Sequence, residues 1–208
     1  MKELQKFKKI FLIVLSIIYL SFNSYSQTKF GIKAGLNLTN QKYSGFVVKV
    51  QTDPIITFTI GGLADLELSE NLGISLGIQL QGVGGKITAP IESESRIDYI
   101  NIPVKLQYNF TDLFIGAGPY FSYGIGGKNE DNGTNLDLML GEDSTDHFSP
   151  IDYGFVFEAG YKFSKFQASL NYNLGLANIN PKEIKDSFQS VDTRNSSIGV
   201  SLSYMFFE

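Results

Sequence analysis

Eight stretches of this chain alternate apolar and small-or-polar residues with a period of two. Between them, turns of two or three residues trade places with long polar loops. A strand built this way has one greasy face and one polar face, so it is half buried. When the greasy face stays free of charge strand after strand, lipid becomes a candidate for the burying medium.

The first strand, 29–39, turns Phe30, Ile32, Ala34, Leu36 and Leu38 one way and Lys29, Lys33, Asn37 and Thr39 the other. The second, 57–68, sets Phe58, Ile60, Ala64 and Leu66 against Asp65 and Glu67, and a third starts at Leu72. Further strands are expected at 97–110, 113–126, 151–163 and 166–178, and an eighth carries Ile198, Val200, Leu202, Tyr204 and Phe206. Each suits the roughly 9–11 residues that cross a bilayer at a tilt, with some overhang. Short turns follow strands two, four and six. Long loops, about 41–56, 86–96, 127–150 and 179–195, follow the others. Bacterial outer-membrane barrels sort their connections this way, with short turns in the periplasm and both termini on that side.

A soluble lipocalin-like barrel also alternates, but with the greasy face inward. Here the polar faces are rich in Gly, Ser, Asn, Gln and Thr and poor in charge, which suits a narrow filled lumen. Gly31, Gly35, Gly73, Gly77, Gly116, Gly118, Gly154 and Gly160 all fall on that side, where an eight-strand interior barely fits side chains. The apolar faces carry no charge over the assigned spans, as expected where a lipid-facing cation costs about 2–4 kcal/mol at the midplane. Phe30, Tyr108, Phe110, Phe163, Phe166, Tyr204 and Phe206 gather at the turn-side strand ends, where an interfacial girdle belongs. Pro103 and Pro119 lie within strands and nearly opposite one another, which predicts a shared bulge.

Residues 1–26 read as a cleaved signal peptide: Lys2, Lys6, Lys8 and Lys9, an apolar run over 10–20, then Ser24 and Ser26 before Gln27. Cleavage would remove four lysines and one glutamate from the 17 basic and 21 acidic residues, leaving 13 and 20, net −7. Such a balance argues against nucleic acid as a partner. There is no cysteine, hence no disulfide, thiol nucleophile or cysteine metal site.

Several runs resemble a known family. YINIPVKLQYNF at 99–110 resembles its Y-x-E-I-P-V-L-L-K-Y strand. FIGAGPYF at 114–121, DYGFVFEAGY at 152–161, NYNLGLANI at 171–179 and GIKAGLN at 31–37 are similar to its other strands. On these runs the chain resembles the PorT-like outer-membrane β-barrels of Bacteroidetes over nearly all of residues 27–208. The resemblance implies a fold and a strand order, carries over no catalytic residue, and raises a secretion-associated role.

Candidate chemistry is sparse. His147 lies in an acidic loop beside Ser144, Asp146 and Ser149, which invites a triad, but a lone loop histidine among common polar residues reads as solvated. The run Gly116-Ala117-Gly118 with Gly124, Gly126 and Gly127 makes no phosphate loop, because no helix follows and Lys128 lacks its Ser or Thr. Asp131, Asn132, Asn135 and Asp137 are the nearest approach to a calcium site, with spacing that fails the EF-hand pattern. The loop 128–150 reads as a solvated surface loop. By parity, Lys33, Lys105 and Lys162 share the lumen with Asp65, Glu67 and Glu158. That set predicts a neutralising ion network, with a hydrated open lumen as the alternative.

The expected fold is all-β: an eight-stranded antiparallel up-and-down transmembrane β-barrel, monomeric, with a filled interior. The expected function is non-enzymatic, presenting acidic loops outside the cell for envelope structure, adhesion or docking. A small pore and a lipid-modifying or proteolytic barrel are the rival classes. No cofactor or metal is expected. The expected partners are outer-membrane lipid, the barrel-assembly machinery during biogenesis, and an extracellular or envelope protein.

Overall fold

The computed structural model describes residues 28–45, 50–89, 92–131, 134–143, 145–182 and 192–206. The proposed signal peptide lies outside them. Ten strands follow in order: β1 (Thr28–Ser44), β2 (Gln51–Asp53), β3 (Ile55–Glu67), β4 (Leu72–Ala89), β5 (Ser93–Phe110), β6 (Leu113–Asp131), β7 (Thr134–Asp137), β8 (Ile151–Phe163), β9 (Phe166–Gly175) and β10 (Asp192–Met205). Eight of them, all but the short β2 and β7, pair antiparallel with their chain neighbours. β10 then returns to β1, from Gly31 opposite Met205 to Ser44 opposite Asp192, and the ring closes. The chain is an eight-stranded antiparallel up-and-down barrel. Closure leaves no free edge among these eight strands.

Side chains alternate as the period predicts. Ile32, Leu36, Ile60, Ile78, Ile115, Leu170 and Val200 stand exposed on the outside, while Lys33, Asn37, Gln79, Gln107 and Ser169 are buried within. This is an inside-out distribution relative to a water-soluble barrel, and it is the surface a hydrocarbon layer covers. At the turn end the exposed rings form a chain across three strands. Phe163 lies 5.7 Å from Phe166, Phe166 lies 5.2 Å from Tyr204, and Tyr204 lies 5.8 Å from Phe206, centre to centre.

Inside, large rings sit over glycines. Phe114 is directly opposite Gly160, and Tyr120 directly opposite Gly154. A Cβ on Gly160 would lie 2.5 Å from the Phe114 ring, and one on Gly154 would lie 2.9 Å from Tyr120. The small residue makes the room that the ring fills.

Two expectations are corrected. The strands run farther toward the loop end than the apolar period, with β6 reaching 19 residues. Hence 41–44, 86–89, 93–96 and 127–131, expected as loop, belong to strands; their ladders continue where solvent removes any need for an apolar face. The predicted bulge at Pro103 and Pro119 is absent. Pro119 is one register step away from facing Pro103, and pairing keeps one register on either side of the prolines. Each proline removes a donor, but the flanking bonds carry the ladder across the gap. The β5–β6 register shifts instead at Asp98/Tyr99, where Ile125 is the extra residue.

Candidate functional site

The lumen holds its polar side chains in layers. At mid-height Glu158 on β8 receives two lysines from other walls: Lys33 Nζ of β1 stands 2.6 Å from Oε1, and Lys105 Nζ of β5 contacts Oε2. Both lysines and the carboxylate are more than nine-tenths buried. Lys33 also donates to Asn171 Oδ1 at 2.9 Å, and Ser169 Oγ donates to Glu158 Oε1 at 2.7 Å. Asn171 Nδ2 donates to Ser201 Oγ at 2.8 Å. A carboxylate so far from water is stable only with such bonds around it.

The other predicted members lie nearer the turn end. Asp65 accepts from Gln167 Nε2 at 3.2 Å, Glu67 pairs with Lys29 at 2.8 Å, and Lys162 Nζ donates to Asn109 Oδ1 at 2.7 Å. The six residues therefore form one three-member cluster and separate contacts below it. Lys29, Ser169, Asn171 and Ser201 were left out of the predicted set, although all four lie on the polar face and parity could have found them.

Toward the loop end, Asn195 Nδ2 donates to Asp152 Oδ2 at 2.9 Å, and Tyr120 Oη donates to the same oxygen at 3.4 Å. Above these an apolar cluster shares the lumen with buried polar groups, among them Ser95 Oγ, which donates to Gln41 Oε1 at 2.7 Å. Val83, Ile97, Tyr99, Leu138, Ala177 and Ile179 form one buried cluster, with Leu140 and Phe148 packed against it. Two loops supply half of it. Ser149 N–H donates to Ile179 O at 2.7 Å, and Ile179 N–H donates to Thr193 O at 2.9 Å. Glu142 joins the same loops, accepting from Ser149 Oγ and from Lys182 N–H. The segment expected as a wholly solvated loop is thus partly a cap. Leu138, Leu140 and Phe148 turn in, while Leu136 and Met139 stay exposed along with Asp137, Glu142 and Asp143. Beside it, the Lys86 ammonium, 2.5 Å from the exposed Glu92, holds that carboxyl below its ordinary range.

His147 serves the same loop. Its Nδ1 accepts from Met139 N–H at 3.1 Å, and Asp146 Oδ2 accepts from Asp143 N–H at 2.9 Å. With Ser149 held by Glu142, the triad candidates are spent on separate bonds; Ser144 lies outside the described residues. Asp131 and Asp137 are hairpin residues of β6 and β7, Asn132 is outside the described residues, and no cluster of three metal-ligating side chains occurs among those described.

Space along the lumen is scant. Cavities of ≈ 10 and ≈ 20 Å³ flank the Glu158 cluster, and another of ≈ 10 Å³ lies beside Asp152. Each is about the size of a single water. A larger one, ≈ 80 Å³, opens at the turn end between Lys29, Asp65, Gln107, Asn109, Lys162 and Gln167.

The chain is similar to solved structures of outer-membrane proteins. Neisserial surface protein A superposes with a TM-score of 0.50 at 11% identity, covering 84% of this chain and 96% of that one. Ail, the attachment invasion locus protein of Yersinia pestis, gives 0.48 at 11% identity, covering 86% and 99%. At such identity the first likeness concerns the fold alone. Comparison with curated proteins by sequence finds no match. Residues 20–180 match the family described as outer membrane protein beta-barrel domain. That match spans most of the sequence, and with the closed ring and its apolar exterior it makes this chain a member of that outer-membrane β-barrel family.

Proposed function

We propose that the protein is a non-conducting, non-enzymatic barrel that presents its loop end outside the cell, for adhesion, partner docking or envelope maintenance. The carrying observation is the lumen, closed at mid-height by Lys33, Glu158 and Lys105 and again by the apolar cap. A pore needs a continuous polar path, and an enzyme of the outer rim needs a nucleophile and base in contact; His147 and Ser149 are each bonded elsewhere. In this reading residues 1–26 are removed on export, the barrel-assembly machinery inserts the chain, and the turn end faces the periplasm. Membership of the PorT-like branch and a secretion-associated role are part of the same proposal, supported by the strand motifs at 99–110 and 152–161. Reconstitution into planar bilayers tests it. The expected trace shows no unitary current steps; a steady open-channel conductance overturns the reading.

A further inference from the structure

The lipid-facing wall is not smooth near the turn end. Where β6, β8, β9 and β10 lie side by side, an open groove of ≈ 600 Å³ is let into it. Its floor follows from the register. On the outer face Ala159 of β8 stands between Ile115 of β6 and Leu170 of β9. Ala168 of β9 stands between Tyr161 of β8 and Leu202 of β10. The two alanines are therefore diagonal neighbours on adjacent strands, and the large side chains around them make the rim. Ile115, Tyr161 and Leu170 all stand exposed there.

Nothing in the groove asks for a polar ligand. Its outward side chains are hydrocarbon or aromatic, and the Tyr161 hydroxyl at its edge donates to Asp112 Oδ2 at 3.4 Å. The serines of the same strands turn inward and are already bonded, Ser169 to Glu158 and Ser201 to Asn171.

A hollow in this surface faces hydrocarbon, so whatever fills it is apolar and comes from the bilayer or from another protein wall. A second copy of the chain fits poorly. A two-fold interface is self-complementary, so one centred here sets the hollow of one copy against the same hollow of the other. The gap would then widen instead of filling. Bridged over and left empty, the groove would forfeit dispersion contacts along its lining. Its volume is roughly four times that of an apolar cavity that takes up benzene, space for on the order of twenty carbon atoms. A single hydrocarbon chain of a membrane lipid matches that size.

We propose that the groove over Ala159 and Ala168 is a binding site for one acyl chain of a lipid in the leaflet at the turn end. The bound lipid stays through detergent extraction while its neighbours exchange. The site lies on the outside of the barrel, so it stands apart from the lumen and from the role proposed for the loops.

The test uses the full chain, refolded in vesicles of phosphatidylethanolamine and phosphatidylglycerol, extracted into maltoside detergent and weighed intact by native mass spectrometry. A single lipid retained per barrel is expected. Ala159→Phe fills the groove from a lipid-facing position and should lower the retained fraction by about tenfold. Ala168→Phe should act likewise, and it decides if the first variant fails to fold. Ala34→Phe, at an exposed position of β1 outside the groove, should retain the lipid as the parent barrel does. Absence of retained lipid in the parent overturns the proposal. So does undiminished retention in a folded groove variant, equal loss in Ala34→Phe, or a lipid-free dimer that Ala159→Phe breaks apart.

Discussion

Glu158 holds two buried ammonium groups at once, and this sets the outcome of losing any one of the three. Glu158→Leu strands Lys33 and Lys105, both more than nine-tenths buried, without a counter-charge, and breaking a buried pair of this kind costs about 3–5 kcal/mol. The loss should appear as a lower urea midpoint for the barrel refolded in lipid vesicles. Adding Lys33→Met and Lys105→Met to that variant should restore most of the stability, because no uncompensated charge remains. Unchanged stability in Glu158→Leu would mean that the cluster is only a hydrated filling. Gly160 makes a separate residue-scale prediction. Any side chain there meets the Phe114 ring, so Gly160→Val should destabilise by about 1–3 kcal/mol through overpacking, seen in the same unfolding experiment. Gly126, with nothing within 4 Å of its missing Cβ, should tolerate alanine far better.

At the scale of elements, two of the tight turns carry local strain. Thr111 at φ 50° and Ser164 at φ 53° open the β5–β6 and β8–β9 turns in the left-handed region, which costs an ordinary L-residue roughly 1–2 kcal/mol. Thr111→Gly removes the Cβ clash, and thermal melting in detergent should rise. The cap is the other element with a clear test. Ile179, wholly buried, should cost about 2–5 kcal/mol when cut to alanine, and local hydrogen exchange over 138–149 should accelerate before the barrel itself opens. Elements such as these show what was legible beforehand. Strands β1, β3 and β8 announce themselves because lipid on one side and a packed lumen on the other enforce a strict period of two. Parity alone brought Lys33, Lys105 and Glu158 to one lumen-facing set, but height along the axis depends on strand tilt and register, so Asp65, Glu67 and Lys162 were grouped with a cluster they do not join. The cap was invisible for a different reason. Leu138, Leu140, Phe148 and Ile179 sit in segments without regular structure, and no period marks an irregular chain that folds back into its own barrel. Pro103 misled because a strand proline usually signals a bulge, whereas here the neighbouring ladders hold the register.

For the whole molecule, the two ends of the barrel differ in chemistry. One end has short turns, an exposed aromatic chain and an open cavity of mixed charge; the other has long strands, acidic loops and an apolar cap. If the loop end is extracellular, protease added to intact cells should cut within 132–150 or 183–191 and spare the turns at 111–112 and 164–165, as read by mass spectrometry of the released peptides. Cutting only after the envelope is opened would reverse the orientation. The seam between β1 and β10, with its fourteen facing pairs, governs how such an object comes into being. Its partners are the first and last strands of the ring in chain order, so no amount of local hairpin formation completes the cylinder. Until the final strand arrives, both borders expose unsatisfied amides that any other nascent chain could seize. Closure must therefore wait until β10 has been delivered.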